Sequence, residues 1–210
     1  MALERFAMDF ALCHQRRWPG RPATPGSRLQ LLMQSPGLWL MLVHRLSHWW
    51  VMQWMVVEQR TWRLRLIGIP LSLLEWGIKV VTKSDILGHS NIEGGVSFAD
   101  HGCIIFGASK VGSGTIIGPR TTIGMSLADR SLPEIGRNVW IGADCMVYGS
   151  ITVGDGVTLL PGTALTKSIP AGVVMQGNPA RLILRTFDNT LLREQASLDA
   201  EQCVAAARGG

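Results

Sequence analysis

The chain has 210 residues, 47% of them apolar, and twenty Lys and Arg against fifteen Asp and Glu give a formal net charge of +5. That length can bury one full core with an appendage, and so mild a basic excess favours anionic ligands while giving no reason to expect nucleic acid. The four cysteines, Cys13, Cys103, Cys145 and Cys203, have neither metal-ligand nor disulfide-framework spacing, and the opening "MALERFAMDF" lacks the pattern of a secretory signal, so a cytoplasmic location is expected.

Residues 1–83 read as an α-helical N-terminal domain, poor in glycine and holding seven of the eight tryptophans. The start reads as a short helix followed by a Pro/Gly loop through "RRWPGRPATPGSR", and "GLWLMLVHRLSHWWVMQWMVVEQRTWRLRL" as helix; Pro70 is expected to restart or kink the chain before "LSLLEWGIKVV". The apolar runs are shorter than the roughly 20 residues that cross a bilayer, so no transmembrane span is predicted. Eleven Lys and Arg against four acids make the segment basic. Its tryptophans suit a helical core or a contact between subunits, and the charge would also suit peripheral contact with the inner membrane face. His44, Arg45 and His48 read as helix-face residues.

Residues 84–185 have a different texture. Ile105, Val111, Ile117, Ile123, Ile135, Ile141, Val147, Val153, Leu159 and Leu165 share a six-residue register broken only at Asp129, and a small or β-branched residue follows most of them four positions on, among them Ser109, Thr115, Thr121 and Thr163. Neither a helix nor an alternating strand has this period, whereas a β-solenoid whose coils stack aliphatics in a triangular prism does. Ile86 and Ile92 lie one residue out of phase, so the segment with Asp100 and His101 must absorb the shift; residues 125–134 carry no repeat and read as a loop leaving the coil. Residues 186–210 form a C-terminal tail.

Three stretches carry a resemblance: "DILGHSNIEGGVSFADHG", "DRSLPEIGRNVWIGADCMVYGSITVGDG" and "IPAGVVMQGNPARLI". From about residue 37 to 185 the chain resembles the hexapeptide-repeat acyltransferases, in their serine acetyltransferase-like branch. The resemblance implies a mainly β fold, a left-handed parallel β-helix behind small N-terminal helices. It also implies homotrimers that could pair as a dimer of trimers, with acetyl-CoA in the groove between prisms and no metal.

Acyl transfer from a thioester to an alcohol needs a base near the hydroxyl, and histidine is the best-matched side chain. Only His89 and His101 lie in the repeat region. The resemblance selects His101 as the catalytic base, Asp85 as the acid that orients it, and Asp100 as an acceptor contact. It makes Asp129 and Arg130 of the excursion loop further acceptor contacts, Arg130 being placed to grip a carboxylate. For the cofactor it implies Gly177, Asn178, Pro179 and Ala180 at the terminal corner, with Lys167 and Arg181 as cations and Arg185 nearby. Gly124 opens the loop whose backbone N–H groups could meet the oxyanion.

The family's serine-using members carry Asp-Arg-His-Pro where this chain reads Asp129-Arg130-Ser131-Leu132-Pro133, and their helical segment is longer. A subgroup with short helical domains decorates exopolysaccharides of the colanic-acid type. The expected acceptor is therefore a sugar hydroxyl, with Leu132 suited to the apolar face of the ring, and L-serine of cysteine biosynthesis is the alternative. A zinc lyase on the same solenoid would need three histidines, one more than the repeat region holds.

Overall fold

A computed structural model of the chain describes residues 2–56, 62–126, 130–194, 204, 206 and 207. Its centre is a three-faced prism of short parallel strands. The first face stacks Asp85–Ile86, Ile105–Phe106, Thr122–Gly124, Met146–Tyr148 and Ala164–Leu165. The second stacks Asn91–Ile92, Lys110–Val111, Glu134–Ile135 and Thr152–Val153. The third stacks Ser97–Phe98, Ile116–Ile117, Trp140–Ile141, Thr158–Leu159 and Val174–Gln176, and ends on the antiparallel Arg181–Leu184.

The six-residue repeat is the inward stack. Ile123, Val147 and Leu165 fill one face, Val111, Ile135 and Val153 the next, and Ile117, Ile141 and Leu159 the third, all buried. Each such side chain contributes about 1.5–3 kcal/mol on burial, and stacking makes the contributions one continuous core. Thr115, Thr121, Val139, Cys145, Val157 and Thr163 are buried at the corners.

The register is wrong at one coil. Ile105 is 54% exposed, and Phe106 takes the inward position, paired with Ile86 above and Ile123 below. Ser109 is likewise exposed and Ala108 is buried in its place. From Phe98 to Phe106 the chain takes eight residues instead of six, and from Phe106 to Val111 it takes five. The extra residues lie at the corner holding Asp100 and His101, so the phase shift is absorbed where expected. The first-face strand ends at Gly124 and the second face resumes at Glu134, so the excursion starts where it is read and ends one residue earlier; residues 127–129 lie outside the described residues.

The helical layer comprises α1 (Ala2–Arg17), α2 (Pro25–Gln34), α3 (Pro36–Val56) and α4 (Trp62–Thr82). The long helix read from residue 37 to 66 is thus two helices, and Pro70 lies inside α4 without ending it. α2 starts inside the stretch read as loop, which ends at Arg28, and runs on through residues 29–34, which carry no predicted element; Thr24 and Ser27 cap each other's backbone at its start, and Pro25 opens it. Among the described residues no helix is long and apolar enough to cross a membrane.

What seats these helices on the prism is polar. Asp9 of α1 and Arg45 of α3 are fully or nearly buried and form a bidentate pair at 3.2 Å. Asp9 Oδ1 also accepts from the backbone N–H groups of Gly95 and Val96, and Arg45 donates to the carbonyls of Ile92 and Glu93. Arg45 therefore lies on the face of α3 turned to the prism, where it is a buried anchor. His48 Nδ1 meets the Gly88 carbonyl at 2.9 Å and His44 is buried beside it, so both histidines serve the same seam.

Beyond the last coil, buried Asn189 donates to the carbonyls of Asn138, Gly156 and Val157, and α5 (Thr190–Glu194) carries Leu192 onto Leu160 and Val174. The tail thus closes the lower part of the third face.

Asp9→Ala leaves a buried guanidinium unpaired and is expected to lower stability by about 3–5 kcal/mol; chemical denaturation followed by circular dichroism measures the loss. A pH dependence is expected from His44. Burial, with Arg45 and His48 adding to it, pushes its imidazole from 6.5 down to about 3. The unfolded chain gains a proton there below about 6.5 that the folded chain refuses until about 3, so the stability is whole above pH 6.5 and drains as pH falls through that window. His44→Gln should flatten the fall in denaturation midpoint between pH 7 and 4 relative to wild type.

Candidate active site

Where the chain turns from the third face to the first, successive corners stack into one long edge. Asp100, His101 and Gly102 form its head. The Arg120 N–H donates to the Gly102 carbonyl, Asp144 N–H to Pro119, Gly162 N–H to Ala143, and Ala164 N–H to Gly177, which with Asn178, Pro179 and Ala180 forms the foot. His101 is exposed at the top. Gly102 beside it has φ of +98°, and a Cβ there would stand 2.8 Å from Pro119 Cβ. Only glycine lets this corner close on the one below.

Asp100 is half-buried and fixed. Its Oδ1 accepts from the N–H of Gly37 in the first turn of α3, at 3.3 Å, and Ser35 also hydrogen-bonds it. α3 comes so near that a Cβ on Gly37 would lie 2.7 Å from the Phe98 carbonyl oxygen. Burial raises the Asp100 carboxyl above its ordinary value, while the Gly37 N–H and the charges of Arg17 and His101 pull the other way.

A cleft of about 470 Å³ runs beside this edge, between α1 and the third face. Arg16, Arg17, Ser35 and Asp100 line it at the head, and Pro119, Trp140, Ala143 and Pro161 line it further down.

The sequence-predicted residues divide among several places. Gly177, Asn178, Pro179, Ala180 and Arg181 share the edge that His101 heads, Asn178 being joined to Pro179 by a cis peptide bond. Gly124 and Lys167 lie on another edge, between the first and second faces, as does the root of the excursion loop. Arg130 is exposed in that loop, and Asp129 lies outside the described residues. Asp85 is mostly exposed, and its carboxylate pairs with Lys79 Nζ at 2.9 Å; within one chain no hydrogen bond joins it to His101 among the described residues. Lys79 also holds Glu75 at 2.9 Å. Leu132 is half-buried, its side chain beside Gly107 and next to Leu87. Arg16, Arg17 and Ser35 escape a reading of the sequence alone. The adjacent arginines at the end of the first helix are its only trace of them.

Comparison with known proteins identifies the fold and the family. Residues 133–167 match the bacterial transferase hexapeptide (six repeats) family. A serine acetyltransferase of Synechocystis is 30% identical over 189 residues, covering 86% of this chain and 67% of the relative. Among solved structures, the Neisseria gonorrhoeae serine acetyltransferase in complex with serine superposes with a TM-score of 0.66 at 22% identity, over 86% of this chain and 68% of that one. A serine acetyltransferase in complex with CoA gives 0.67 at 21%, over 87% and 70%. The prism is the left-handed parallel β-helix of the hexapeptide-repeat transferases. Within that class the chain belongs to the serine acetyltransferase family, and it is an acetyltransferase. It spans about two thirds of the length of these relatives.

Gly102→Ala combines a left-handed backbone with a contact inside van der Waals distance and is expected to cost about 1–3 kcal/mol. Because His101 rides on that corner, acetyl transfer should fall more steeply than the denaturation midpoint, which paired activity and unfolding measurements on the variant would reveal.

Proposed function

We propose that the chain transfers the acetyl group of acetyl-CoA to the hydroxyl of L-serine, with His101 as general base. One observation carries the donor half: His101 and the Gly177–Ala180 corner occupy the two ends of one edge. Four rungs separate them, about 19 Å at the spacing of neighbouring strands. An extended pantetheine arm laid along that edge would bring its thioester to His101 and leave its phosphates near the foot, where Arg181 and Arg185 are exposed.

In this scheme the neutral imidazole of His101 takes the hydroxyl proton as the oxygen attacks the thioester carbonyl. The tetrahedral intermediate collapses by breaking the C–S bond, and the imidazolium returns its proton to the departing thiolate. Asp85 would orient the imidazole through the carboxylate oxygen that Lys79 does not hold. The loop with Arg130 springs from a different edge, so an acceptor lying between His101 and Arg130 requires a second prism. A homotrimer with the donor in the groove between neighbours supplies one.

Serine is favoured over a sugar by the relatives that match most of this chain, which are serine acetyltransferases.

Thiol release from acetyl-CoA, measured with L-serine beside a panel of sugars and oligosaccharides, tests the acceptor. Serine should have the highest kcat/KM, and a glycan that outperforms it would restore the sugar reading. His101→Ala should lower kcat by about 10²- to 10⁴-fold with the fold intact; a rate within about threefold of wild type rejects the base.

A further inference from the structure

The outer side of α4 is apolar and, among the described residues, open to solvent. Its inner side packs on α3, where a Cβ on Gly68 would stand 2.6 Å from the Trp50 indole. The outer side holds Ile69, Leu73, Trp76 and Val80, spaced 4, 3 and 4 residues apart and so in one line, with Leu74 and Val81 beside them. All six are at least half exposed, from 50% at Leu74 to 72% at Val81. Apolar residues scattered singly over a surface need no explanation, but a contiguous set on one helix marks a face that something covers.

Charge says what the cover is. Residues 66–74 carry no charge, and the cations stand at the two ends of the strip, Arg63 and Arg65 before it and Lys79 and Lys83 after it. Glu75 is the one acid of α4, and Lys79 holds it at 2.9 Å. Asp9 is likewise buried against Arg45, whereas Lys83 is exposed. The helical layer thus turns a net positive charge outward, with eleven Lys and Arg against four acids over residues 1–83. An apolar strip with cations at its ends fits the boundary between headgroups and acyl chains of a bilayer, where a surface helix sinks its apolar side and its cations meet anionic headgroups. Tryptophan suits that depth, having an apolar ring and a polar N–H. Trp76 lies on the strip itself, and Trp50 and Trp54 stack at 5.3 Å in a cleft that they share with Ile69 and Leu73. A protein partner matches less well. Protein interfaces carry directed hydrogen bonds, and from Ile69 to Leu74 the strip offers one polar side chain, Ser72.

We infer that the outer side of α4 docks the protein on an anionic phospholipid bilayer, lying in the surface without crossing it. The inference goes beyond the acetyltransferase reading and does not rest on it. α4 runs into the first coil, where Lys79 reaches Asp85, so the docking face lies at the end of the prism that holds His101.

Sedimentation of the full chain with vesicles of phosphatidylcholine, alone or mixed with phosphatidylglycerol, tests the docking. The partition coefficient should be about 10-fold or more higher with the anionic lipid and should fall as salt rises. Tryptophan emission should shift to the blue on binding. Leu73→Gln combined with Trp76→Gln should lower the partition coefficient by about 10- to 100-fold, with circular dichroism and acetyl transfer in solution unchanged because both side chains face solvent. Lys83→Gln should reduce only the preference for the anionic lipid. Absence of binding to either vesicle overturns the inference, as does equal binding to both or binding that the double variant retains. Analytical ultracentrifugation covers the competing occupant. A wild-type assembly that the double variant splits, with no vesicle binding, would make α4 a contact between copies of this chain and overturn the lipid docking. Catalysis is read apart from sedimentation, so a chain that binds vesicles but acetylates no serine loses the proposed function and keeps the docking face.

Discussion

The arrangement depends on a charge pair hidden from water. Asp9 and Arg45 sit between two helices and the first coil of the prism, and each is also bonded to the backbone of residues 92–96. Burial raises the Asp9 carboxyl above its ordinary range even though Arg45 and the Val96 and Gly95 N–H groups act against it. A pair under that strain is a weak source of net stability, because desolvation offsets most of its attraction. Its contribution is position. A purely apolar seam could slide, but this one satisfies four backbone groups of one turn only when α1 and α3 lie where they do. The seat of α3 brings Gly37 to Asp100, and the seat of α1 brings Arg16 to the cleft.

The site is then a meeting of two unlike kinds of order. The prism supplies regularity, repeating one corner down an edge so that groups far apart in sequence fall in line. The helices supply irregularity, closing the head of that line with charges that no repeat could provide. The tail adds a lower boundary through Asn189 and Leu192, leaving the cleft open between the two coverings.

Much of this was legible from residue order because the core of a solenoid is written locally. Ile117, Ile123 and Ile141 recur at the period of the coil, and the break after Gly124 shows as an interruption of it. Ile105 misleads because it precedes another large apolar residue, Phe106, and only the pairing with Ile86 and Ile123 decides which of the two turns inward. The start of α2 is hard to see in the sequence because its cap uses Ser27 where the usual signal is Glu or Gln. The polar contacts that shape the site left less trace. Arg16 touches a residue 81 positions away and Arg45 one 36 away, and no local period relates such partners. His101 was found through family likeness, and its place at the head of an edge became visible only with the coils stacked.

That edge has the character of a gauge. Each coil contacts only its neighbours, so a whole coil gained or lost leaves the inward columns matched and the fold intact. The separation between His101 and the Gly177 corner, however, would change by one strand spacing, about 4.8 Å. Reach along the edge is therefore available only in whole steps, and a carrier molecule of given length fits one coil count. The architecture accepts any number of turns between the two ends. Chemistry does not, and the number of turns in this chain is accordingly a functional quantity more than a structural one.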